Sequence, residues 1–213
     1  MPDLPRQSDT TLPDRIRLPF AFNPAKLVAD LDRITADGWI DHLVKSNYEG
    51  DWSVLPLRIT AGATHPVMMI YADPTAVRFE DAPALARMPY FRHVLAQFAC
   101  PLQTVRLMRL TPGSHIREHR DHDLAAEQGA ARLHVPITTS PDVAFLLNGS
   151  RVEMEPGSAW YLRLADPHSV VNRGQADRIH LVIDCVVDDW LDALLREAAQ
   201  MKRPISTMHG SIG

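Results

Sequence analysis

Residues 143–164, VAFLLNGSRVEMEPGSAWYLRL, decide the fold. Asn148-Gly149 is the dipeptide favoured by two-residue type I′ hairpins, whose central positions both need positive φ. It joins VAFLLN directly to RVEM, and Pro156-Gly157 turns the chain again into SAWYLRL. Apolar runs this short, closed by turn residues, read as strands rather than helices. The same rhythm extends in both directions. Upstream lie LQTVRLMRL (102–110), the Pro112-Gly113 turn, IREHRD (116–121) and ARLHVPI (131–137). Downstream lie HSVVN (168–172) and RIHLVIDCVV (178–187). Roughly eight short strands separated by turns predict a double-sheet jelly roll, a double-stranded β-helix of cupin-like shape.

The predicted chain is mainly β with flanking helices. A jelly-roll core over about 99–187 follows an N-terminal α/β cap at 15–98, and a closing helix spans 188–202, making one domain over 15–202. Residues 1–14 and 203–213 read as tails. RIRLPFAF (15–22) reads as a strand. Helices are expected near 24–35, with Asn23 as cap and Pro24 in the first turn, near 83–98 with an interruption at Pro89, and at 188–201 with Asp188 or Asp189 as cap. The stretch 37–66 is irregular, with a possible strand at SVLPLRIT.

Composition excludes several classes. A formal net charge of −4, with no basic tract, gives no field for nucleic acid. No stretch approaches the ~18 apolar residues of a membrane span, and the acidic, polar start is unlike a signal peptide. Cys100 and Cys185 sit in apolar runs and read as buried free thiols. A reduced cytoplasm is the expected setting. Oligomeric state is left open.

His119, Asp121, His168 and Arg178 carry the chemistry. Side chains at i and i+2 share one face of a strand, so His119 and Asp121 can meet one ion. A second strand can bring His168 to it. Two histidines and a carboxylate on one side of a metal form the facial triad of non-haem Fe(II) oxygenases, with positions open for a cosubstrate and O2. Arg178, beside the apolar run LVI, is costly to bury unless it meets an anion, either a core carboxylate or a ligand. It forms an i, i+2 pair with His180, and Arg132 and His134 repeat that pattern. A dianion such as 2-oxoglutarate matches such pairs. His115, His122 and His209 lack this support and read as surface residues. Trp39, Tyr48 and Trp52 read either as a cover over substrate or as core.

LTPGSHIREHRD, ARLHVPI, FLLNGSRVEMEPGSAWYL and DPHSVVNRGQADRIHLVIDC together resemble the aspartyl/asparaginyl β-hydroxylase family of Fe(II)- and 2-oxoglutarate-dependent dioxygenases. WIDHLVKSNYEGDWSVLPLR is similar to its N-terminal part. The resemblance implies that His119, Asp121 and His168 hold Fe(II). It implies that Arg178 takes the distal carboxylate of 2-oxoglutarate, with Arg132 and His134 at its other end. An aliphatic carbon of an amino acid or peptide residue would be hydroxylated, releasing succinate and CO2. The chain keeps Asp121, as bacterial relatives acting on free proline do. It has Ala130 where the vertebrate enzyme has an arginine for its acidic substrate, which favours proline-like or other neutral substrates. Arg58, Trp52 and Arg106 are the candidates for substrate contact. A non-catalytic cupin-like module binding metal or ligand, or a metal-dependent isomerase, would also tolerate HxD and a distal His. Neither explains Arg178 together with Arg132 and His134.

Overall fold

The structure is a computed structural model that describes residues 11–34, 38–70 and 75–201. His209 and the segments 1–10 and 202–213 lie outside the described residues. Among the described residues, thirteen strands and four α-helices follow one another. They are β1 (Arg15–Ala21), α1 (Pro24–Leu31), β2 (Ile40–Asp41), β3 (Tyr48–Glu49), β4 (Trp52–Thr60), α2 (Pro66–Ile70), β5 (Phe79–Asp81) and α3 (Pro89–Leu95). Then come β6 (Leu102–Leu110), β7 (His115–His119), β8 (Ala130–Thr138), β9 (Val143–Leu147), β10 (Ser150–Arg151), β11 (Ser158–Leu162), β12 (His168–Asn172), β13 (Arg178–Val186) and α4 (Asp189–Met201).

The expected strands of the core are present. The large sheet runs β1-β11-β8-β13-β6-β4-β2, with β5 on β4, and the small sheet runs β10-β9-β12-β7-β3. Asn148 and Gly149 take φ of 51° and 70°, as a type I′ turn requires. At Gly157, φ is +80° and a Cβ would lie 2.2 Å from the Phe22 carbonyl oxygen, so only glycine fits that turn. Helix ends follow local chemistry. The Asn23 side chain accepts from the Lys26 amide at 3.1 Å, and Asp188 accepts from Leu191 at 3.0 Å. The segment 83–98 breaks as expected, into a 3₁₀ turn at Pro83–Arg87 and α3 beginning with Pro89.

Some boundaries differ. α1 ends at Leu31 rather than near 35, and RVEM contributes only Ser150–Arg151 to a strand. The end of the expected N-terminal tail packs into the fold. Leu12 is buried in the core, and the Asp14 carbonyl accepts from the Arg163 amide at 2.7 Å. An apolar residue with a core site available gains more from burial than its sequence surroundings suggest.

Period-two alternation divides the large sheet. Along β8 and β13, Leu133, Val135, Ile137, Leu181, Ile183 and Cys185 join the apolar cluster that includes Leu27 of α1, Phe91 of α3 and Leu195 of α4. The intervening Arg132, His134, Arg178, His180 and Asp184 point the other way, toward the small sheet. The register sets Arg132 opposite Asp184 and His134 opposite Val182. A second apolar cluster, including Trp52, Met108, Ile116, Phe145 and Val182, fills part of the space between the sheets. The rest of that space is the cavity.

Candidate metal centre and its cavity

A cavity of about 670 Å³ opens between the sheets, within the range of small-molecule sites. His119, Asp121, His168, Arg132, His134 and Arg178 all line it. His119 ends β7 and lies directly opposite His168 on β12. Their ring centroids are 4.3 Å apart, and the ligand atoms of His119, Asp121 and His168 all lie within 4.8 Å of one another. Asp121 sits two residues past the end of β7, so its place owes less to strand alternation than the pattern suggested. Its amide donates to the Leu164 carbonyl at 2.9 Å, which folds it back toward the histidines.

The histidine tautomers follow from backbone contacts. His119 Nδ1 lies 2.8 Å from the Arg117 carbonyl oxygen, and His168 Nδ1 lies 3.0 Å from that of Asp166. A carbonyl only accepts, so each Nδ1 carries a proton, and in the neutral ring Nε2 is then the nitrogen with the lone pair. Burial lowers the His168 pKa, which favours the neutral ligand form. Two imidazoles and one carboxylate on one side fit Fe(II) with open positions opposite them.

The basic residues divide into two environments. Arg132 donates from Nε and Nη2 to Asp184 at 2.6 and 3.0 Å and from Nη1 to Asp121 at 2.7 Å. Arg106 pairs with the same Asp184, which also accepts from Thr104 at 2.8 Å. Burial alone would raise the Asp184 pKa, but Arg132 and Arg106 overcome it and hold the carboxyl below its usual range. Arg178 is different. It is 2% exposed, and no carboxylate among the described residues pairs with it. Its Nη2 meets His180 Nδ1 at 3.0 Å, its Cζ lies 5.8 Å from the Phe145 ring centroid, and its Nε has no partner among the described residues. Burial lowers its pKa to about 9, leaving a cation at neutral pH. Nearby His134 has no partner on either ring nitrogen among the described residues, and burial, then Arg178, keep it neutral.

Of the substrate candidates, the cavity gathers Trp52 and Arg106 but not Arg58. A register shift between Pro56 and Arg58 interrupts β4, and Arg58 turns to Asp81 at 2.8 Å and the Phe79 carbonyl. It serves the β4–β5 pair instead. Trp39 lies beneath Arg109 and packs on the helix side of the sheet. Tyr48 stands edge-on to Trp52 with centroids 5.6 Å apart. His115 is half-buried, while exposed His122 reaches the cavity lining. Among the lining residues that the sequence pattern did not single out are Asp184 and His42. Asp184 shares the strand parity of Arg178, a signal that was available. His42, stacked on Trp52 at 3.5 Å, comes from an irregular stretch with no periodic signal.

The fold and donor set define a cupin-like, double-stranded β-helix protein with a candidate metal centre between its sheets. The sequence model of the aspartyl/asparaginyl beta-hydroxylase family matches residues 23–187, and the chain belongs to that family. It is 25% identical over 194 residues to an L-proline cis-4-hydroxylase of Rhizobium meliloti (strain 1021), a match covering 87% of this chain and 64% of that protein. The chain thus spans a little under two thirds of that relative's length. The fold is similar to that of an oxidoreductase of the 2OG-Fe(II) oxygenase family from Burkholderia pseudomallei, with a TM-score of 0.51 and 14% identity. That match covers 83% of this chain and 86% of the other. No helix among the described residues is long and apolar enough to cross a membrane.

Proposed function

We propose that the protein is an Fe(II)- and 2-oxoglutarate-dependent dioxygenase that hydroxylates an aliphatic carbon of an amino acid or peptide residue, releasing succinate and CO2. The observation that carries this reading is Arg178, a buried cation without a carboxylate in the same cavity as the His119, Asp121 and His168 donors. Asp121 and Asp184 balance Arg132 and Arg106, so Arg178 is the unbalanced charge of this group. A buried guanidinium left so costs several kcal/mol by general experience, a cost that an incoming carboxylate removes. A metal-binding module or an isomerase has no need of it.

His119, Asp121 and His168 would hold the metal, and Arg178 would receive the distal carboxylate of 2-oxoglutarate through its planar fork. His134, neutral and without a ring-nitrogen partner among the described residues, has a donor and an acceptor available for the cosubstrate's other end. When bound, Fe(II) with 2-oxoglutarate and O2 supplies the oxidising power, one oxygen atom entering the substrate and one entering succinate. The apolar walls, among them Met108, Ile116, Phe145 and Val170, exclude water from that chemistry. Trp52 Nε1 and Arg106 Nε are buried donors without partners among the described residues, available to an acceptor on the substrate. The free thiols Cys100 and Cys185 suit a reducing, cytoplasmic setting.

The test has two stages. Anaerobic addition of 2-oxoglutarate to the Fe(II)-loaded protein should produce a weak visible charge-transfer band. Its absence, with no 2-oxoglutarate binding, would favour the metal-binding module or the isomerase. Succinate release is then followed with free amino acids and short peptides, beginning with L-proline, and mass detection of one added oxygen identifies the substrate. Turnover stimulated only by a metabolite that is not an amino acid or peptide would overturn the substrate class while keeping the oxygenase.

A further inference from the structure

Arg132 occupies an unusual place between two carboxylates of the cavity, Asp121 and Asp184. Asp121 lies beyond the paired part of β7, and its side chain is 29% exposed, so strand pairing alone does not fix it. One oxygen, Oδ2, accepts from Arg132 Nη1 at 2.7 Å, and the other, Oδ1, faces His119 Nε2 at 3.7 Å. Arg132 is itself held on the opposite strand position by both oxygens of Asp184. Asp184 is held in turn by Thr104 and Arg106, and Arg106 donates to the Ile70 carbonyl at 3.1 Å. The chain of contacts runs from the rigid centre of the large sheet to a carboxylate on a loop.

We infer that Arg132 is a positioning residue for Asp121, anchored by Asp184, rather than a ligand of 2-oxoglutarate. By taking Oδ2, Arg132 leaves Oδ1 as the oxygen presented to the metal beside His119. Its charge is already balanced by two carboxylates, whereas Arg178 and His134 on the same wall are not so engaged. A planar fork is needed because one group must bridge two carboxylates at fixed angles, which a lysine ammonium cannot do. The inference rests on the reading of His119, Asp121 and His168 as metal ligands.

The test reads metal binding without 2-oxoglutarate, by calorimetric titration of Mn(II) and by the visible spectrum of bound Co(II). Loss of an outer partner of a metal ligand typically weakens metal binding about 10–100-fold. Arg132→Gln should therefore weaken Mn(II) binding by that factor and alter the Co(II) spectrum. Asp184→Asn should weaken it too, and the double variant should lose less than the two single losses combined, because both act through one contact. If Arg132→Gln does not fold, Arg132→Lys is read instead and should still bind Mn(II) more weakly than the wild type. Wild-type Mn(II) affinity in the folded variants, with weakened 2-oxoglutarate binding to the metal-loaded protein, would overturn the inference and return Arg132 to the cosubstrate. Failure of the metal reading looks different: the wild type itself would then bind Mn(II) no better than His168→Ala.

Discussion

Strands β8 and β13 bury both of their faces, and the two faces are built on opposite rules. On the helix-covered face, Leu133, Val135, Leu181 and Ile183 pack as apolar core. On the other, Arg132, His134, Arg178, His180 and Asp184 crowd the same strands, all but Arg132 at no more than 4% exposure. Burying a leucine or isoleucine fully is worth about 1.5–3 kcal/mol. Burying a charge costs unless it is paired and hydrogen-bonded. Asp184 meets that condition and Arg178 does not. The comparison separates a buried charge that is paired from one that has no carboxylate partner among the described residues.

The comparison can be broken at several points. His168→Ala removes one of three proposed metal donors, and stoichiometric Mn(II) binding and substrate-coupled succinate release should both be lost. Retention of either by the folded variant would show that the donors were misassigned. Arg178→Ala should weaken 2-oxoglutarate binding by ~3–5 kcal/mol, roughly a hundredfold or more, by analogy with a broken buried ion pair. The same charge burdens the empty protein, so Arg178→Met should leave the ligand-free form no less stable, with a gain of up to about 1–4 kcal/mol. Chemical denaturation without ligand checks the second half, and a marked loss of stability would mean that Arg178 serves the fold.

Across the sheet the expectation reverses. Leu181→Ala opens a hole in the apolar cluster and should cost about 2–5 kcal/mol of stability. The folded variant should keep its affinity for 2-oxoglutarate, as isothermal titration below the unfolding transition would show. The smallest effect concerns protons. Burial, and then Arg178, hold His134 and His180 well below the ordinary 6.5, so both are neutral when folded. The unfolded chain protonates them near pH 6.5 and then binds more protons than the native state. Stability should therefore fall as the pH drops below about 6.5, by up to about 1.4 kcal/mol per pH unit for each group, and be retained above it. Denaturation midpoints at about pH 7.5 and about pH 5.5 sharpen this point. An unchanged midpoint would mean that the two rings are protonated when folded.

Much of the fold was legible because turn chemistry and strand parity are local. Asn148-Gly149 and Pro156-Gly157 mark their own turns, and Asn23 and Asp188 mark their own helices. The grouping of the candidate donors His119, Asp121 and His168 was legible for the same reason, although Asp121 reaches its place through a loop contact rather than through the pleat. The partners of the arginines were not legible. Arg58 and Arg106 look alike in sequence. The register shift between Pro56 and Arg58 leaves one on the Asp81 side, whereas the other, opposite Val182 of β13, reaches Asp184. Which carboxylate an arginine meets depends on cross-strand register, and register is a property of two segments at once. The same holds for Arg132, whose opposite residue lies 52 positions away.

Both candidate histidine donors are oriented by main-chain carbonyls two residues before them. This has a consequence for how the site tolerates change over generations. A histidine steered by a neighbouring glutamate can be misdirected by one substitution at that glutamate. Here the steering group belongs to the peptide unit that every amino acid carries, so Arg117 and Asp166 can be replaced without removing the acceptor. Side-chain changes at these two positions thus leave the imidazole nitrogens presented as they are.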